Sequence, residues 1–214
     1  MPNIEDLTWT DVAAVVVMML SLVWREQARA WVAHAWGDST PKEKGRLTFN
    51  PLPHVSFLGT VVIPIAAVYF EFFFIGWAKP VPTDRERYRW PFLGDLCVSL
   101  TAIVVGIVLV IGLQTFWHVL PAGHAARAIA FKLAYMNVIL VVFHLIPIPP
   151  FDMFEVAKYG FPPKWWPRMR SFGAIGGWLV LALLIFTEQA RRTFRDAASY
   201  VWDLADAVAK TLAG

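Results

Sequence analysis

Apolar residues in this chain gather into long runs at 9–36, 57–77, 91–118, 129–146 and 171–186. Runs of this length suit helices that cross a bilayer, with some tilt for the longest. Between them lie breakers. Gly37-Asp38-Ser39-Thr40-Pro41 is a turn, and residues 46–56, with Pro51 and Pro53, are irregular. Residues 79–89 form a basic, proline-containing loop. Pro147-Ile148-Pro149-Pro150 cannot be helical throughout, and 151–170 is expected as a loop with Trp165 and Trp166. Pro64 and Glu71 interrupt the second run, which is either a full span or a re-entrant element. In the last run Gly173, Gly176 and Gly177 allow close helix contact. From 188 onward the pattern changes. Phe194, Val201, Leu204, Val208 and Leu212 recur near helical spacing among Arg191, Arg192, Arg195, Asp196 and Asp203. This is an amphipathic helix, suited to a membrane surface, to a partner, or to the protein's own membrane domain. The expected fold is all-α and integral to the membrane. It is a bundle of about four to five transmembrane helices with a re-entrant or irregular segment and a C-terminal amphipathic helix. Residues 1–187 form the membrane domain and 188–214 the tail.

Composition agrees. Of 214 residues 57% are hydrophobic and 16% charged, too little charge for an ordinary soluble domain. The net charge of +3 is small and the basic residues sit in loops, which excludes nucleic-acid binding. Cys97 is the only cysteine, so no internal disulfide forms, and it reads as a small buried hydrophobe. The acidic N-terminus lacks a basic region, so the first run is expected to stay as an anchor rather than be cleaved. If 57–77 spans fully, Lys and Arg divide evenly between the two sides. If it returns to its side of entry, eleven face five, as the positive-inside rule requires. The second arrangement is preferred; it places the N-terminus and tail outside the cytoplasm.

One stretch of the first helix resists this picture. Arg25-Glu26-Gln27-Ala28-Arg29 sets three charges at membrane depth, with the arginines at i and i+4 on one face. The spacing is that of the zinc helix H-E-x-x-H, in which the histidines hold the metal and the glutamate is the general base. Both histidine positions are arginine, which offers a metal no lone pair.

Further along, Gly37-Asp38 and Thr40, then Gly45-Arg46-Leu47-Thr48-Phe49-Asn50-Pro51-Leu52-Pro53-His54, Gly76-Trp77-Ala78-Lys79-Pro80-Val81-Pro82, Asn137, and Leu145-Ile146-Pro147-Ile148-Pro149-Pro150-Phe151-Asp152 follow in order. Together they resemble the site-2 protease family of intramembrane zinc metalloproteases in its short bacterial form. The likeness runs over about residues 12–186. It implies a bacterial cytoplasmic-membrane protein, with Asp152 at the third zinc ligand's position and Asn50, His54, Lys79 and Asn137 near a peptide groove. The departures fall at the chemistry. Besides Arg25 and Arg29, the family's A-G-P-x-x-N reads Thr-Ala-Ile-Val-Val-Gly at 101–106, F-N reads Phe143-His144, and D-G reads Asp152-Met153.

The expectation is therefore a pseudoprotease: not an enzyme, without a cofactor, acting as a structural or accessory subunit or binding protein among membrane-protein partners. Arg25, Glu26, Arg29 and Asp152 would form an ion-pair cluster in which two guanidinium charges replace those of the zinc and bridge the first helix to the Asp152 loop. Against this stands simple snorkelling of the arginines to headgroups. A second reading keeps an intramembrane metalloprotease with a site rebuilt from His144, Asp152 and His54, or His34. A third, a transporter, is disfavoured by the few spans.

Overall fold

A computed structural model describes residues 9–65, 76–149, 151–172 and 186–214, with positions 176, 179, 180, 182 and 183. Among these residues every regular element is helical. Helix α1 (Trp9–Ala35) ends at Gly37, whose φ of 107° reverses the chain. The Asp38 carboxylate then accepts the amides of Thr40 (2.8 Å) and Asp84 (2.7 Å), tying two loops together beneath the helix. Short helix α2 (Thr40–Glu43) follows, then a 3-10 turn at Leu52–His54 and a π-helical turn at Phe57–Val62.

Helix α3 (Pro91–Val119) starts on a proline, which lacks only an amide that the first turn leaves unpaired. It is the central element and packs against α1, against α4 (Ala125–His144), against α5 (Asp152–Ala157) and against the C-terminal helix α7 (Glu188–Ala213). Helix α6 (Trp166–Ser171) lies between α5 and α7 in sequence. Two cores result. Met18, Leu22, Leu133, Met136 and Leu140 join α1 to α4. Val110, Val138, Val142, Phe143, Phe194, Ala198 and Ala205 join α3, α4 and α7.

One expectation is met in part and another changes. Among the described residues two helices are long and apolar enough to cross a membrane, α3 and α4; these do not establish the four to five expected. Arg25, Glu26 and Arg29 dilute the hydropathy of α1, and the runs at 57–77 and 171–186 fall partly outside the described residues. The region 151–170, expected as a loop, holds α5, two 3-10 turns and the start of α6. Its charged residues Glu155, Lys158 and Arg170 pair with each other. The tail rests on its own bundle. Trp202 enters an aromatic cluster with Trp117, Phe131 and Tyr135, and His118 meets Asp206 at 2.6 Å.

Lys158 fastens α5 to the start of α3. Its Nζ donates to Asp95 and to Glu155, both at 2.6 Å, and its side chain is buried. Replacing Lys158 with alanine leaves the buried Asp95 without its cation, while Glu155 keeps Arg170. This should cost about 3 kcal/mol, read as a lower thermal unfolding midpoint of the full chain in detergent.

Candidate functional site

Three turns before its C-terminus, α1 presents Arg25, Glu26 and Arg29 to a cavity of about 250 Å³. Trp77, Ala78, Pro80 and Thr83 line it on one side, Asp95 and Ser99 of α3 on another, and His144, Asp152 and Glu155 close it. Arg29 donates from one nitrogen to both carboxylates, Glu26 at 3.1 Å and Asp152 at 2.8 Å. It therefore bridges α1 to the first residue of α5, across the turn that Pro147 and Pro149 force after α4. The second oxygen of Glu26 accepts the Val81 amide at 2.8 Å, which hooks the extended segment 76–82 to the same point.

Arg25 takes a different course from the expected one. It is 2% exposed and does not reach Asp152; its Nη2 faces the carbonyl (3.5 Å) and side-chain oxygen (3.4 Å) of Asn137. Asn137 is held in turn by donating to Ser21 (3.3 Å) and Leu133 (3.0 Å). Room for the guanidinium comes from Gly106, where a Cβ would lie 2.6 Å from Arg25 Nη2 and 2.8 Å from its Cζ. Position 106 is where the family motif carries asparagine, so the two departures from the motif meet in space. Neither arginine snorkels outward.

His144 Nδ1 lies 2.8 Å from Asp152, without hydrogen-bond alignment. Burial raises the Asp152 carboxyl, but His144 and Arg29 outweigh it and hold the group at about 2. His54 is elsewhere, fully buried with its Nε2 3.0 Å from the Arg46 carbonyl; burial and the Arg46 charge lower its basicity. Lys79 donates its amide to His54 (2.7 Å), and its carbonyl faces Arg46. Asn50 sits in an exposed turn, accepting from Leu52 at 3.0 Å. His34 lies on α1, outside the cavity lining.

Three residues lining the cavity went unnoticed in the sequence, Asp95, Glu155 and Arg170, as did Lys158, which pairs with the first two. Arg170 meets Glu155 at 2.6 Å. Burial raises the Glu155 carboxyl, but the bonds from Arg170 and Lys158 hold it below the usual range. A signal for Asp95 existed, since it is the one Asp, Glu, Lys or Arg in α3. With Arg25, Arg29, Lys158 and Arg170 against Glu26, Asp95, Asp152 and Glu155, four cations face four carboxylates.

Such a set does not fit a catalytic zinc ion, which takes three protein ligands and an open position. The space between Glu26 and Asp152 holds the Arg29 guanidinium. Among the described residues no three of His, Cys, Asp and Glu are grouped to hold a metal. No step is assigned to one.

The motifs resemble those of membrane metalloproteases, and the chain's relatives agree. It is 28% identical over 180 residues to a Bacillus subtilis (strain 168) protein named "Putative zinc metalloprotease YwhC", covering 80% of this chain and 79% of that one. It is 25% identical over 206 residues to "Putative zinc metalloprotease Rip2" of Mycolicibacterium smegmatis (strain ATCC 700084 / mc(2)155), covering 94% and 78%. No family model and no solved structure matches. The resemblance to the site-2 protease family stands. One expectation is corrected here: that the chain is not an enzyme. It rested on two lost ligands of one helix, whereas the relatives that share four-fifths or more of the chain are named as metalloproteases.

Arg29→Ala should cost about 3–5 kcal/mol, because the buried Glu26 and Asp152 lose the guanidinium that joins them. Arg29→Lys keeps the charge without the planar fork and should cost less. Unfolding midpoints in detergent measure both. Gly106→Val should cost about 1–3 kcal/mol by forcing Arg25 from its place. Adding Arg25→Ala should recover part of that loss, a coupling that a double-mutant cycle detects.

Proposed function

We propose that the protein is a site-2-protease-like protein of the bacterial cytoplasmic membrane that holds another membrane polypeptide at the Arg25–Arg29 cavity, as a binding or accessory subunit of a larger complex. The membrane domain, 1–187, carries the cavity, and the tail, 188–214, is a docked helix. One observation carries the reading. Arg25 Nε and Nη1 and Arg29 Nε are buried donors with no acceptor among the described residues. Buried unpaired donors are costly, and a ligand rich in acceptor oxygens removes the cost. Backbone carbonyls of an extended polypeptide are such acceptors. The cavity wall at 77–80 is itself extended, held from behind by Gly59, His54, Thr60 and Arg46.

The relatives' names favour a second reading, in which the bound polypeptide is cleaved. On this chain a hydrolytic site would draw on Glu26, His144 and Asp152, with Arg29 moved from between the carboxylates.

The test places a photo-crosslinking residue at the exposed Thr83, on the cavity rim, with His124 as a distant control. The full chain is illuminated in its native membrane and purified in mild detergent, and its zinc content is measured. Crosslinking to a defined membrane polypeptide from 83 and not from 124 is expected. Cleavage of that polypeptide with stoichiometric zinc establishes the second reading. No crosslink at 83 beyond that at 124 overturns both.

A further inference from the structure

Residues 158–172, from the end of α5 to just past α6, sort into two sets by their contacts. Tyr159 donates its hydroxyl to Asp95 at 2.7 Å and meets Phe92, the second residue of α3, edge-on with ring centroids 4.8 Å apart. Trp166 meets Tyr159 at 5.2 Å and donates its indole N–H to the Phe161 carbonyl at 3.0 Å. The Arg85 guanidinium stands 5.1 Å above its ring. Arg170 holds Glu155. These side chains fasten the segment to α3, to α5 and to the loop that carries Arg85.

The second set is turned outward. Phe161, Lys164, Trp165, Arg168 and Phe172 are all exposed. Lys164, Arg168 and Phe172 follow in steps of four through the 3-10 turn at Pro163–Trp165 and α6, so they share an edge. No Asp or Glu occurs between Glu155 and Glu188. Unlike Lys158 and Arg170, Lys164 and Arg168 have no ion-pair partner among the described residues.

The place of this face says what covers it. Phe92 fixes it beside the first turn of α3, a helix long and apolar enough to cross a membrane. At the same end the exposed Trp90, just before α3, meets Trp36, just past α1, at 6.3 Å. Exposed aromatic rings at the end of an apolar span sit at the membrane–water boundary. Water alone would serve the two cations but leave Phe161, Trp165 and Phe172 uncovered. Hydrocarbon alone would cover the rings and strand the cations. A layer of anionic headgroups over acyl chains serves both. We propose that the outward face of 161–172 is a docking surface for anionic phospholipid headgroups of the surrounding bilayer, with Lys164 and Arg168 on phosphate and Trp165 beneath them. The inference rests on the membrane setting proposed above, and not on what the cavity holds.

The full chain in neutral detergent is titrated with phosphatidylglycerol or phosphatidylcholine, and bound lipid is counted by native mass spectrometry. Phosphatidylglycerol should bind more tightly. Each cation near a lipid surface is worth about fivefold, so Lys164→Glu with Arg168→Glu should weaken phosphatidylglycerol about twentyfold and leave phosphatidylcholine unchanged. Trp165→Ala should weaken both lipids alike. Lys42→Glu with Lys44→Glu, two exposed cations at α2, should change neither. Equal binding of the two lipids by the unaltered chain overturns the inference. So does an equal loss from both reversed pairs, which is an effect of net charge. A photo-crosslinking residue at 165 that captures a polypeptide and no lipid in the native membrane overturns it as well. Should the reversed pair lose helicity in neutral detergent, Lys164→Gln with Arg168→Gln takes its place, and weakening in the same direction is required. A chain that stays folded and soluble without detergent refutes the membrane setting itself, whereas lipid indifference in a chain that needs detergent refutes the docking face alone.

Discussion

Charge balance in a place poor in water is the constraint on which this structure depends. A lone guanidinium buried between helices would be expelled or would unfold its surroundings. Arg29 stays because Glu26 and Asp152 receive it from two separate elements. Lys158 stays because Asp95 and Glu155 do the same a turn away. Each cation is thus a tie between helices that apolar contacts alone would let slide. The proline turn after α4 is held to α1 by this means. Ion pairs of this kind add less stability than specificity: one register of α1 against α5 satisfies them, and slipped registers leave charge behind.

Arg25 shows how steric and electrostatic requirements are met together. Its charge is softened by the oxygens of Asn137, and its bulk is received by the missing side chain of Gly106. The departures from the family motifs at these two positions touch across two helices.

Some of this could be read in the residues and some could not. The helices α1 and α3 were visible within a residue or two because Gly37, Pro91 and the length of the apolar runs mark their ends. Helix α4 begins four residues before its expected start, since Arg127 sits in its first turn and ended the apolar run early. The content of 151–170 was hidden because Glu155, Lys158 and Arg170 look like loop charges until their mutual contacts are known. Arg29 and Asp152 lie close together, as charge matching suggested. Arg25 turned to Asn137 instead, because spacing along a helix fixes a face and not the reach of a side chain. Periodicity detected the tail's apolar stripe but not its docking on α3 and α4, which depends on small alanines that carry little signal.

Glu26 leaves one further consequence. Its two oxygens hold different things: one the Arg29 guanidinium, the other the Val81 amide. A carboxylate is rigid and planar, so these attachments cannot move independently. Anything that draws the 76–82 segment outward rotates Glu26 and loosens its grip on Arg29, and through Arg29 the hold on the turn that carries Asp152. Two loops distant in sequence thus behave as the arms of one lever, pivoted on a single side chain of α1.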